Sequence, residues 1–312
     1  MNQKAEKYLE LIAKAKNAYS DEKEKFKWCD ECKKAINLWT YWQGLGYEIN
    51  APKIKILLVG QDWGNANDDN ASIAKTIMDI NALKPSEYEK IQYLCKEEKF
   101  SPTDKHLIEL FNSIGYANID KKRYSDLFFT NICLGYRKIN TSAHIDKSEV
   151  AIDEKLFKEL CDILEPSYII CLGRITYEIA LNALGLKMPK IKSFNDYIGL
   201  GQGEVYKNSK IFAVAHPGAM GTMNRNRKSD KKGIELQLSD WVRIFKQNSE
   251  NSKVEQTTQN NAATKENSAK SLAKEQDEIT AQIYKIISAY IAKNYPKDAL
   301  RRNQSGSVTI SL

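Results

Sequence analysis

No apolar run in this chain of 312 residues approaches the roughly 18 residues of a membrane span, so no segment reads as a transmembrane helix. The opening stretch, MNQKAEKYLELIAKAKNAYSDEKEKF, is a charged helical pattern and lacks the apolar core of a secretory signal. Six cysteines without such a signal read as thiols of a reducing compartment, and the expected location is cytoplasmic. No glycine-rich phosphate loop follows the first strand-like segment. That argues against a nucleotide-binding α/β enzyme acting on small molecules. Internal repeats are missing, and histidine is scarce, with three in the chain. Nor is there a dominant charge. The 47 basic and 40 acidic residues leave a net +7, which permits a polyanionic partner without requiring one.

What is present is a set of short apolar blocks. KIKILLV (53–59), LFFTNI (127–132), YIICL (168–172) and KIFAVA (210–215) are continuous rather than alternating. Strands buried on both faces of a parallel sheet have this character. Between them lie TDKHLIELFNSIG, DEKLFKELCDILEP and ITYEIALNALG, which carry apolar residues at helical spacing, the last ending at Gly185 as a C-cap would. The expected fold is a three-layer α/β/α domain around a central, mainly parallel four-stranded sheet. Residues 1–50 read as a helical and aromatic cap, with Trp28, Trp39, Tyr41 and Trp42 packed over the core of a domain spanning 51–246. Residues 247–275 are polar, low in complexity and read as a flexible linker. Residues 276–312 hold a short amphipathic helix and a tail. The helix either docks on the same chain or, through residues 276–295, engages a protein partner.

In open α/β sheets, ligands bind outside the carboxyl ends of the strands. Gln61 and Asp62 follow the first block, Asn131 closes the second, Gly173 and Arg174 follow the third, and His216 and Pro217 follow the fourth. An acid, an amide and an imidazole are thereby expected to converge on one crevice. Each has a plainer reading: a helix cap for Asp62, a backbone cap for Asn131, a loop histidine for His216.

These residues resemble the uracil-DNA glycosylase superfamily. GQDWG is similar to its first motif, commonly Gly-Gln-Asp-Pro-Tyr, and HPGAMG to its second, His-Pro-Ser followed by a wedge residue. FFTNICLGYRK looks like the middle strand, whose Asn reads the base. KFSPTDKHLIELF resembles the segment that carries a stacking Phe ahead of a helix, and LEPSYIICLGRITYEIAL resembles a unit of the iron–sulfur branch. The resemblance covers about Lys53 to Phe245. It implies hydrolysis of the N-glycosidic bond of a flipped, deaminated base in DNA, in base excision repair. By that resemblance Asp62 and His216 are catalytic. Gln61, Trp63, Phe100 and Asn131 bind the base. Gly218, Met220, Arg225, Arg227 and Lys228 contact DNA.

The chain departs from the family in three places. Trp63 and Gly64 stand where Pro and Tyr are usual, which leaves open which base is taken. Gly218 replaces Ser. Cys29 and Cys32 form the CxxC of the iron–sulfur branch, but Cys133 lies two positions early and Cys161 well past the remaining slots, so no cofactor is expected. Two other readings stay open: a non-catalytic module on the same fold that recognises modified bases, and a recruiter acting through its C-terminal helix.

Overall fold

The computed structural model describes residues 2–21, 35–40, 42–63, 77–90, 100–135 and 150–246, with the single positions 75, 145 and 285. The chain divides into two compact units, Met1–Lys246 and Gln247–Leu312. Apart from Lys285 the second unit, including the expected linker and amphipathic helix, lies outside the described residues, as do Trp28 and Tyr41.

Among the described residues the first unit holds five strands, β1 (Ile56–Gly60), β2 (Leu127–Asn131), β3 (Tyr168–Leu172), β4 (Glu204–Tyr206) and β5 (Ser209–Val214). Their order is β2-β1-β3-β5-β4. The first three and β5 are parallel, whereas β4 runs antiparallel to β5. The sheet is therefore mixed and five-stranded, not four-stranded as expected. The missed strand has three residues with no apolar run, and joins β5 through a tight turn at Lys207, whose φ is 52°.

Helices cover both faces. Among those in the described residues are α1 (Gln3–Asp21), the single turn α2 (Tyr47–Asn50), α3 (Pro102–Ser113), α4 (Ala151–Leu164), α5 (Arg174–Ala183), α6 (Phe194–Leu200), α7 (Ala219–Asn226) and α8 (residues 235–246). Side chains alternate across a strand, so each apolar block feeds two cores. Leu57, Val59, Phe128, Ile169 and Cys171 face the layer of α1, α4 and α5. Ile56, Leu58, Phe129, Ile170 and Phe212 face α3 and Trp241 of α8. Each large side chain removed from water contributes about 1.5–3 kcal/mol, which is why uninterrupted apolar blocks were needed here.

The outer edge of β2 is not left bare. Thr40 N–H donates to Phe129 O at 2.7 Å and Phe129 N–H to Gln43 O at 3.3 Å, so the segment carrying Trp39 and Trp42 covers that edge. Both indoles are buried.

The N-terminal helix also reaches the loop after β2. Tyr19 Oη donates to Asp153 Oδ1 at 2.6 Å and accepts from the N–H groups of Leu134 (2.8 Å) and Gly135 (3.0 Å). Asp153 is 2% exposed. Burial pushes its carboxyl from the ordinary 3.8 up to about 7, opposed by hydrogen bonds from Tyr19 and the Leu134 N–H, with the neighbouring Glu154 charge adding to the rise. The folded state thus holds a proton that the unfolded chain releases. Stability from this group is complete below about pH 4 and is lost as pH rises toward 7, by roughly 4 kcal/mol at most. Asp153→Asn keeps an acceptor for Tyr19 and cannot ionise. Urea unfolding between pH 4 and 8 is expected to show the variant gaining on the parent as pH rises; parallel curves would contradict the buried proton.

Candidate active site

Strand register sets the site. Gly60 pairs with Asn131, Val59 with Cys171, and Leu172 with Val214, so the four parallel strands end in one level row. The chain leaves β1 toward β2 and leaves β3 toward β5, which opens a crevice where the two directions part. Asp62, Asn131 and His216 leave that row within two residues of it.

On the β1–β2 side, Asn131 lies over Gly60. A Cβ on Gly60 would stand 2.3 Å from Asn131 Oδ1, so only glycine leaves room for the carboxamide. Ile132 N–H and Cys133 N–H donate to Gly60 O (2.8 Å) and Gln61 O (2.9 Å), tying the two strand exits together. Gln61 Nε2 donates to Asp62 Oδ2 at 2.9 Å and orients the carboxylate. Asp62, Gln61 and Asn131 are each half-buried. Trp63 is also half-buried and packs on the α1 side of the core.

On the β5 side, His216 is exposed to solvent, although the turn at Gly218 packs closely against one side of its ring. Desolvation from that crowding lowers its pKa from the ordinary 6.5, and the Asp62 carboxylate acts on it in the opposite direction. The acid and the imidazole, 154 positions apart in sequence, are therefore electrostatic neighbours. Gly218 N–H donates to His216 Nδ1 at 3.0 Å. An Nδ1 that accepts carries no proton, so the ring is neutral with its hydrogen on Nε2. Gly218 caps α7, and a Cβ there would lie 2.9 Å from both His216 Nδ1 and Thr103 Oγ1. This close approach accounts for glycine at position 218.

Phe100 precedes the capping box of α3, in which Ser101 accepts from Asp104 N–H and Asp104 returns a bond to Ser101 N–H. Its ring lies 5.7 Å from Trp42 at 33°, half-buried against the α3 side of the core. Met220 and Met223, one turn apart on α7, are 67% and 60% exposed.

One expected DNA contact is corrected. Arg225 faces inward, with Nε and Nη2 donating to Asp240 Oδ2 and Oδ1 at 2.7 and 2.8 Å, and Asp240 is 1% exposed. The helix turns Arg225 to the same buried side as Thr222, three residues earlier, while Arg227 and Lys228 stay exposed. A charged run such as NRNRK conceals this, because the partner lies fifteen positions on.

His106 is a site residue that sequence reasoning missed. Its ring donates from Nδ1 to Pro217 O at 2.5 Å, inside the His216 turn. Within an amphipathic helix it reads as an ordinary polar position; its only signal is membership of the three histidines.

Of the four thiols considered for a cluster, Cys29 and Cys32 lie outside the described residues. Cys133 is buried beside Tyr19, and Cys161 beside Cys171. Burial first, then the neighbouring sulfur, pushes Cys161 well above the ordinary thiol range, whereas a cluster ligand is a thiolate. The described pair does not suit a metal cluster, and no step below passes through one. Among the described residues no group of three or more His, Cys, Asp or Glu is placed to hold a metal, and no helix is long and apolar enough to cross a membrane.

No protein-family model matches the chain, and no curated protein matches it. Fold and site are thus the ground for any functional reading.

The Arg225–Asp240 pair predicts its own signature. Asp240→Ala leaves the buried Arg225 charge without that carboxylate and is expected to cost about 3–5 kcal/mol in urea unfolding. Arg225→Ala is expected to cost less, because Arg243 Nη1 stays 3.3 Å from Asp240 Oδ1. Arg227→Ala, on the solvent side, is expected to stay within about 0.5 kcal/mol of the parent. Equal effects would return Arg225 to the surface.

Proposed function

We propose that this chain is a DNA N-glycosylase of the uracil-DNA glycosylase type, hydrolysing the glycosidic bond of a flipped, deaminated base, uracil first among them. The observation that carries the reading is the meeting of Asp62 and a neutral, Nε2-protonated His216 at one row of strand ends.

Cleavage of that bond builds positive charge on the sugar and negative charge on the departing base. Asp62, oriented by Gln61, favours the oxocarbenium-like sugar and directs water to its far face. His216 Nε2–H donates to a carbonyl oxygen of the base as its negative charge grows, and a neutral donor placed in advance needs no reorganisation during the step. Asn131, held by its packing on Gly60, reads the edge of the base, and Phe100, braced by Trp42, offers a ring to stack on it. Met220 takes the space that the flipped base vacates. Arg227 and Lys228 meet phosphates, a role in which Arg225 has no part. Trp63 is the residue on which choice among bases turns.

The test is a panel of oligonucleotides carrying uracil, hypoxanthine, xanthine or a thymine mismatch, scored for abasic sites. Release of uracil is expected. Asp62→Asn is expected to lower the rate about a thousandfold with binding retained, and His216→Ala about a hundredfold. Because the neutral imidazole is the working form and its pKa lies below 6.5, kcat/KM is expected to hold at pH 7 and fall only below that value. Substrate that is bound but never cut, in every member of the panel, would make the chain a recognition module instead.

A further inference from the structure

We propose that His106 is a positioning residue that sets the tautomer of His216 through a single peptide unit, the one joining Pro217 and Gly218. For its catalytic consequence this rests on the glycosylase reading; for its physical content it does not.

The two faces of that peptide are both engaged. Its carbonyl, Pro217 O, accepts from His106 Nδ1 at 2.5 Å and from Thr222 Oγ1 at 3.3 Å. Its N–H, on Gly218, donates to His216 Nδ1 at 3.0 Å. The described chain has no cis peptide, so the carbonyl and N–H point opposite ways, and fixing one aims the other. One histidine is thereby joined to the other in a line: Nδ1–H of His106, the peptide, Nδ1 of His216. A donor on the carbonyl polarises the peptide and makes its N–H a stronger donor at the far end. That bond exists only while His216 Nδ1 is unprotonated. His106 therefore favours the neutral ring with its hydrogen on Nε2, on which Asp62 is the charged group that acts.

The support behind His106 is built in. It sits one turn after Thr103, whose hydroxyl abuts Gly218, so one face of α3 packs along the whole turn. Thr222 N–H donates to Gly218 O at 2.9 Å, and Gln237 Nε2, on the 1% exposed Gln237, donates to Thr222 Oγ1 at 2.9 Å. Three helices, α3, α7 and α8, thus converge on one peptide. The same helix α3 follows Phe100 directly, so the base-stacking ring and the imidazole are referred to one rigid element.

The experiment is ¹⁵N-histidine NMR across pH 5 to 9, with the three histidines assigned by substitution. In the parent, His216 is expected as the Nε2–H tautomer and His106 with Nδ1 protonated. In His106→Ala, the Nδ1–H form of His216 is expected to appear and its titration to move to higher pH. In His106→Asn, whose amide can donate from nearly the place of Nδ1, the parent pattern is expected to return. Activity is expected to follow as a fall in kcat of about tenfold with KM within about twofold, again restored by Asn. A folded His106→Ala with parental His216 tautomer and titration would overturn the proposal. Should that variant fail to fold, the parent spectrum decides: a His106 Nδ1 without its proton, or a His216 Nδ1 with one, overturns it, and the opposite pattern supports it. A chain that releases no base leaves this spectrum equally informative, so failure of the glycosylase reading is told apart from failure of the relay.

Discussion

Pairing of Gly60 with Asn131, Val59 with Cys171 and Leu172 with Val214 holds four strand ends in one row. Shift any one by a single residue and its side chains exchange faces, so that side chains fitted to one core must pack in the other. The two cores forbid that shift. The same pressure that buries Val59 and Cys171 on one side and Leu58 and Ile170 on the other fixes where Asp62, Asn131 and His216 emerge. The candidate site is placed by hydrophobic packing some distance beneath it.

Local devices then refine what the register makes possible. Glycine at 60 admits the Asn131 carboxamide, and glycine at 218 lets its own amide reach the imidazole. Gln61 turns the Asp62 carboxylate. The Tyr19–Asp153 pair braces the loop that leaves Asn131, so a helix from the far N-terminus bears on the amide side of the crevice. On the other side the buried Arg225–Asp240 pair ties α7 to α8, and the turn bearing His216 is carried at the start of α7. The Tyr19–Asp153 and Arg225–Asp240 pairs are enclosed by the apolar layers, where a satisfied hydrogen bond defines geometry and an unsatisfied one is costly; the bonds at Asp62 and His216 lie nearer the surface.

Much of this was legible in the sequence because burial on both faces writes itself as an uninterrupted apolar block. The four blocks mark β1, β2, β3 and β5 to within a few residues, and the ends of the blocks name Asp62, Asn131 and His216. The fifth strand was not legible. Glu204, Val205 and Tyr206 sit at the sheet edge, gain their place by pairing with β5, and carry no pattern of their own. Arg225 was misread because its partner, Asp240, is distant in sequence and helical phase decides which member of a charged run turns inward. His106 was passed over for the same reason: its role is a hydrogen bond to a carbonyl 111 positions away. Composition records what is buried; it does not record which polar groups meet once burial has brought their elements together.

The central claim is that Asp62 and a neutral His216 act on each other electrostatically at one row of strand ends. Titration of the His216 imidazole by NMR, in the parent and in Asp62→Asn, tests it most directly. A carboxylate nearby favours the charged ring, so its removal is expected to take a pKa that already lies below 6.5 lower still. Coincident titration curves in the two proteins would contradict the account.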